Sequence, residues 1–410
     1  MPKLMPEESL SDKLAKIRTW VGARSLEWTS GIRMLQLILI TRRSGFLMGG
    51  PGTAKSQAII DLLKCLGGYK RFSLQLTPET TRKDLVGYMS IPKFVKDGVV
   101  EYETQDSLVD SDVAHLGELP LGNSATLNGL LSVINEGHIR LGSQTFQTRT
   151  VVLGDGNEMP DLVNLTEGDV KRKTLAALFD RLLFRERIRP FVRAEENQRT
   201  MLALPVDRTR AVDAPPVSIS RDEMDHLTGQ VTRMAPINSG SWAEKTIKKF
   251  LKLISTLRKN QINISDRRMM WAREALVANA ILDGRDLVQD VDFKTVRWWG
   301  WLNPSQNRLV LEVLQDLIET GLASCTAEEV AVDKIYQEAV NPDRTWNSPE
   351  EKIQEGNKVA AKISDSIRKL LALATRYPDE CDEIVAVVSK LRGYNHEVNQ
   401  RLVGITLDED

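Results

Sequence analysis

Eight residues, Gly49-Gly50-Pro51-Gly52-Thr53-Ala54-Lys55-Ser56, constrain this chain more than any other stretch. They follow a short apolar run, Phe46-Leu47-Met48, and open a helical pattern, Lys55–Cys65. A glycine-rich turn between strand and helix lets backbone wrap closely around phosphates, and the amides at the helix N-terminus hold the negative charge. In such a loop Lys55 reaches the β- and γ-phosphates and the Ser56 hydroxyl sits on Mg²⁺. The usual pattern has glycine at position 54, where this chain has alanine. A chance glycine turn before a lysine would lack the flanking strand and helix. The loop therefore predicts a nucleotide-binding α/β core, without saying which machine the core drives.

Composition narrows the setting. With 55 basic and 56 acidic residues among 410, the formal charge is −1, and nothing overall advertises a polyanion binder. A content of 41 % hydrophobic and 27 % charged residues is that of ordinary globular domains, two or three at this length. Cys65, Cys325 and Cys381 are far apart and odd in number, which excludes a disulfide scaffold or zinc ribbon and favours a reducing compartment. The N-terminal residues lack an apolar leader, and the longest apolar stretch of note, Leu37–Ile40, is far short of a ~20-residue membrane span. A soluble cytoplasmic protein without membrane insertion is expected.

Along the chain, residues 1–35 read as an N-terminal helical segment, with Leu14, Ile17, Trp20 and Val21 at helix spacing. Residues 36–195 alternate apolar strands (46–48, 72–74, 113–116, 151–153) with helices (55–65, 125–136), the pattern of a parallel sheet covered on both faces. Two β-ribbons interrupt it, Val99–Tyr102 after Lys96-Asp97-Gly98, and Ile139–Phe146 about Gly142-Ser143. A loop-like stretch, with 196–217 as the linker, leads to an all-helical segment at 218–303 and a further helical region at 304–410. Ser265 looks like a helix cap, and Thr326…Glu329 and Ser348-Pro349-Glu350-Glu351 read as capping boxes. Ile353, Val359, Ile363, Ile367 and Leu370 form an apolar stripe suited to intramolecular packing.

Several blocks in order, GGPGTAKS, LTPETTRKDLVGYMSI (76–91), LGELPLGNSATLNGLLSVINEGHIRLG (116–142), LGDGNEMP (153–160), ALFDRLLFR (177–185) and ISDRR (264–268), resemble the MoxR/RavA-type AAA+ ATPases over roughly residues 15–300. The resemblance implies an αβα AAA+ core with a helical lid, assembled as a homo-oligomeric, hexameric ring with ATP and Mg²⁺ at subunit interfaces. The ribbons match the helix-2 insert and pre-sensor-1 hairpin, which in such rings project towards the pore. Family members usually act as chaperone-like remodellers of protein substrates, often beside a partner with a von Willebrand factor A domain. Position by position, Glu118 matches the glutamate that polarises the attacking water, and Asn157 the sensor-1 asparagine. Arg181 matches the arginine finger offered to the neighbouring subunit, and Arg267 the sensor-2 arginine of the lid. A cation arriving in trans would make hydrolysis contingent on assembly.

One departure matters. The family has Asp-Glu at the end of the third core strand, and this chain has Gly117-Glu118. The missing aspartate normally holds a water of the Mg²⁺ shell or bonds the loop serine, and Mg²⁺ demands octahedral geometry at ~2.0–2.1 Å. Its loss alone implies a slow or dead ATPase, and hence a nucleotide-binding assembly scaffold as the rival reading. However, Asp155 stands two residues before Asn157, and side chains at i and i+2 of a strand face the same way. An extended 154–156 would send the Asp155 carboxylate across the gap at Gly117 towards the Mg²⁺ site. The alternative is that Asp155, flanked by glycines, is a turn residue. A DNA-acting motor is the third reading; near-zero charge counts against it, and basic ribbon tips would favour it. Trp298, Trp299 and Trp301 read as packing between lid and C-terminal helices, and His115, inside a strand run, as a satisfied core histidine.

Overall fold

The computed structural model describes residues 9–157, 168–189, 191–193, 195–203, 214–317, 321–341, 344, 346, 348–377 and 381–404. The end of the 153–160 block, Pro378 and part of the expected linker lie outside them. In chain order the first elements are α1 (Leu10–Gly22), α2 (Thr29–Thr41), β1 (Gly45–Met48), α3 (Lys55–Lys64), β2 (Leu66–Gly67), β3 (Arg71–Gln75) and α4 (Arg82–Val86). Then come β4 (Tyr88–Met89), α5 (Ile91–Asp97), β5 (Tyr102–Glu103), β6 (Val113–Gly117), α6 (Ser124–Glu136), β7 (His138–Leu141), β8 (Gln144–Gln147), β9 (Val151–Gly156), α7 (Val170–Arg181) and β10 (Phe184–Arg187). Beyond them lie α8 (Glu195–Ala203), β11 (Ile219–Ser220), α9 (Arg221–Met234), α10 (Glu244–Lys259), α11 (Asp266–Leu282), α12 (Val296–Trp299), α13 (Asn307–Gln315), α14 (Gly321–Val340), α15 (Pro349–Arg376) and α16 (Cys381–Val398).

The chain forms two compact units. The first, residues 1–25, 31–191 and 209–310, holds a five-stranded sheet in the order β10-β1-β9-β6-β3, parallel throughout. β1, β6 and β9 are buried along almost their whole length, which is why they read as continuous apolar runs rather than alternating ones. Phe46, Leu116, Val152, Leu130, Leu178 and Phe179 share one core under the helices. β1 lies between β10 and β9, next to the strand order's reversal, so the loop leaving its C-terminal end opens at a topological switch point.

The lid helices follow. Ser265 caps α11 by accepting the Arg268 N–H at 3.2 Å, as the polar Ser265-Asp266 start predicts. The tryptophans are buried, but their neighbours differ from the expectation of lid against C-terminal helices. Trp299 packs on Phe250 within the lid, and Arg185 of β10 lies over Trp301 at 5.0 Å. They line the seam between sheet and lid.

Other boundaries moved. The division expected at 35/36 falls inside α2, because Leu37–Ile40 is the buried face of a helix rather than the start of the sheet domain. α1 belongs with the core unit, where the Gln36 amide bonds Leu14 O at 2.7 Å. The stretch taken as loop carries α8. The first ribbon is smaller than expected: Tyr88-Met89 pairs with Tyr102-Glu103, and the segment between them is the short helix α5, not strand. The second forms as read, β7 against β8 about Gly142-Ser143.

The second unit, residues 26–30, 192–208 and 311–410, is built on α14, α15 and α16. Val359, Ile363 and Leu370 of the apolar stripe pack into its core beside Val332 and Leu391, while Ile353 is exposed. Ser348 caps α15 by accepting from Glu351 N, with Pro349 opening the helix. Thr326, expected to start a helix, lies inside α14.

Candidate nucleotide site

β1 delivers the chain into the phosphate loop and α3 takes it out. Gly49 N–H donates to Gly156 O at 3.2 Å, which ties the loop's first residue to the end of β9. Gly52 has φ +78°, and Ala54 takes the same left-handed region at φ 60°, ψ 20°. Alanine at 54 thus occupies a conformation that costs an L-residue about 1–2 kcal/mol and a glycine nothing. Lys55 is buried; its ammonium donates to Gly49 O at 2.6 Å and Gly50 O at 3.0 Å, with Asn157 Oδ1 at 3.4 Å. Ser56 is exposed at the first turn of α3.

Asp155 is a strand residue, not a turn residue. It pairs in register with Leu47, is 3 % exposed, and lies within β9, which runs through to Gly156. The glycines on either side serve packing. A Cβ at Gly154 would stand 2.7 Å from Leu119 Cδ2, and one at Gly156 2.9 Å from Pro120 Cδ. Side chains at 154 and 156 would collide with the Leu119–Leu121 turn that crosses the strand.

The Asp155 carboxylate reaches the loop. Its Oδ2 accepts the Ser56 hydroxyl at 2.9 Å and the His115 Nε2–H at 2.9 Å, and its Oδ1 accepts the Glu118 backbone N–H at 3.1 Å. A Cβ built on Gly117 would lie 3.7 Å from Asp155 Oδ1, so the carboxylate stands against the place where a residue-117 side chain would start. Burial alone would push the Asp155 carboxyl up. The hydrogen bond and attraction of His115, with the bonds from Glu118 N–H and Ser56, outweigh it and hold the group below the usual carboxylate range. Glu118 itself sits at φ 49°, ψ 43°, a strained turn that the Asp155 bond helps to fix.

These contacts gather Lys55, Ser56, Glu118, Asp155 and Asn157 at the C-terminal ends of β1, β6 and β9. Arg181 and Arg267 make theirs elsewhere. Arg181 closes α7 with Nη1 on Ala177 O at 2.8 Å. Arg267 is part-exposed, 3.9 Å from Asp180 Oδ2 and over the Trp271 ring. Its neighbour Arg268 turns inward and bonds the carbonyls of Asp180, Leu182, Leu183 and Trp299. His115 is the residue that sequence reasoning left out of the site. The available signal was its place two residues before a glycine that stands where an acid was expected.

The donor set fits Mg²⁺. A hydroxyl whose proton is committed to a carboxylate leaves an oxygen lone pair for a hard cation, and Mg²⁺ takes one or two carboxylates plus phosphates rather than a protein cage. Among the described residues no group of three or more His, Cys, Asp and Glu forms such a cage.

A parallel sheet with a phosphate loop at its switch point and a helical lid defines a P-loop NTPase of AAA+ build. Residues 12–229, more than half of the chain, match the family described as the MoxR domain in the MoxR-vWA-beta-propeller ternary systems, and residues 245–314 match an AAA lid domain. The chain belongs to the MoxR family of AAA+ ATPases. Two uncharacterized proteins of Methanocaldococcus jannaschii are similar to it, one 27 % identical over 74 % of each chain and the other 26 % identical over 72 % of each. The fold is shared with a candidate ATPase of Cytophaga hutchinsonii at TM-score 0.57 and 18 % identity, covering 75 % of this chain and 95 % of that one. Among the described residues no helix is long and apolar enough to cross a membrane.

Proposed function

We propose that this protein hydrolyses ATP with Mg²⁺ at the interfaces of a homo-oligomeric, hexameric ring and uses the cycle to remodel protein targets, as RavA-type relatives do. The observation that carries the reading is the Ser56–Asp155–Glu118 arrangement. A carboxylate from β9 bonds the loop serine where the family's own aspartate would, so Gly117 does not by itself make the site inert. Bound Mg²⁺ would neutralise phosphate charge as the γ-phosphoryl group leaves. Lys55 binds the phosphates, Ser56 and Asp155 hold the metal side, Glu118 takes the proton of the attacking water, and Asn157 orients that water. Arg267 of the lid reads the nucleotide, and Arg181 serves the neighbouring subunit's site.

The insert between β4 and β5 supports a protein target over DNA. Ile91, Phe94, Val95 and Val99 are exposed, and no residue of α5 is buried. Lys93 and Lys96 are balanced by Asp97 and Glu101, and Lys93 is paired with Glu101. An apolar, charge-balanced tip suits unfolded or loosely packed polypeptide and carries no phosphate-binding signature. The family description supports a von Willebrand factor A partner for the ring.

The test is steady-state ATP turnover at ring-forming concentration, with and without Mg²⁺, alongside mass measurement of the assembly. Mg²⁺-dependent turnover, lost in Glu118→Gln while nucleotide still binds, is the expected result. Nucleotide-driven assembly with turnover at background in the wild type would replace this reading with that of a binding scaffold.

A further inference from the structure

We infer that His115 is a positioning residue for metal binding: its Nε2–H holds the Asp155 carboxylate in the orientation that aims the Ser56 hydroxyl oxygen outward. The inference rests on the proposed role of Asp155 and adds the residue that makes a relocated carboxylate work.

His115 lies on β6, 6 % exposed, two residues before Gly117 and therefore on the same side of the strand. Gly117 offers no side chain between the ring and β9, and the imidazole meets Asp155 Oδ2 at 2.9 Å. Both carboxylate oxygens already accept, Oδ2 from the Ser56 hydroxyl and Oδ1 from Glu118 N–H, so Nε2 is the donor in this contact. On the ring's other side, Nδ1 lies 3.3 Å from Ser73 Oγ on β3, which fixes the ring plane. The chain of contacts thus runs from β3 through β6 and β9 to the phosphate loop: Ser73, His115, Asp155, Ser56.

A carboxylate borrowed from the neighbouring strand needs such a holder. Ser56 is solvent-exposed and gives only one bond, and Glu118 N–H takes the other oxygen. Without the third donor, the carboxylate can turn about its terminal torsion, a soft rotation. Ser56 then loses the acceptor that keeps its proton away from the metal. Groups that orient a metal's ligands in this way typically change metal affinity by roughly 10- to 100-fold when removed.

The experiment measures the Kd of Mn²⁺, an octahedral oxygen-seeking probe, for the full-length protein saturated with ADP, from the loss of the free-ion EPR signal. ADP affinity in EDTA is measured alongside. His115→Leu is expected to raise the Mn²⁺ Kd by roughly 10- to 100-fold with metal-free ADP affinity unchanged. His115→Gln, which places an amide N–H near the Nε2 position, should stay within about threefold of wild type. An unchanged Kd in His115→Leu, with Asp155→Asn raised, would overturn the role of His115 and leave that of Asp155 standing. An unchanged Kd in both would remove the Asp155 reading as well. A shift shared equally by Leu and Gln assigns the effect to packing and also overturns the inference. Should His115→Leu fail to fold, Ser73→Ala decides: a rise in Kd supports the relay, and no rise refutes it.

Discussion

At the end of β9 a buried carboxylate is met by three donors, one of them an exposed serine, whereas at the seam between sheet and lid two buried guanidiniums hydrogen-bond to backbone carbonyls. Arg185 and Arg268 are 1 % and 0 % exposed. Arg268 donates to Asp180, Leu182, Leu183 and Trp299 carbonyls, and Arg185 to those of Phe179 and Trp301. Burial pulls the Arg268 guanidinium down to about 10 against the opposing charge of Asp180, and burial together with the charge of Arg268 holds Arg185 well below the usual arginine range. At the phosphate loop the hydrogen bonds outweigh burial, and the carboxylate stays ionised beside a group open to solvent. The difference separates two uses of buried charge. Under the proposed function one is held ready for a ligand, and the other fastens two parts of one chain together.

The sharpest way to break this comparison is at Arg268. Arg268→Met leaves four carbonyls without their donor and should cost on the order of 3–5 kcal/mol, read as a fall in the denaturant midpoint. Arg268→Lys should not restore it, because an ammonium cannot span the fork. Arg267→Met, one residue away, should change stability by no more than about 0.5 kcal/mol, and any loss should appear in nucleotide response. Equal destabilisation by both would erase the distinction between them.

Asp155→Ala should lower Mg²⁺-dependent ATP turnover on the order of 10²-fold, at a stability cost of about 1–3 kcal/mol for the donors left unpaired. Unchanged turnover would place this carboxylate with the fastening charges instead. Gly117→Asp puts two carboxylates in one site, which one proton must then bridge. Turnover should drop roughly tenfold in the wild-type background and recover when combined with Asp155→Ala, as measured by the same assay. A small gain is expected from Ala54→Gly. Relief of the left-handed backbone, offset by the freer unfolded chain, should stabilise the protein by about 0.5–1 kcal/mol in thermal or denaturant melts.

Much of this was legible beforehand, and the failures have physical reasons. The phosphate loop and the buried parallel strands announce themselves because close backbone wrapping needs glycine, and two-sided burial needs unbroken apolar runs. Gly154-Asp155-Gly156 carries the composition of a turn yet is strand, because its glycines answer to Leu119 and Pro120, far from them in sequence. Leu37–Ile40 has no period over four residues, so strand and buried helix look alike there. His115 passed for a core filler since its partner arrives from another strand, and register is not written in either strand alone. The same holds for Arg267 and Arg268: adjacent in sequence, they part by the rotation of one helical step, which no motif records.

Arg268 has one more consequence. It bolts the first turn of α11 to the carbonyls that flank Arg181, while Ser265 on the same turn donates to Asp180 at 3.3 Å. The lid's leading edge and the tail of α7 are thereby a single lever. A tilt of that edge would carry the backbone on either side of Arg181 with it.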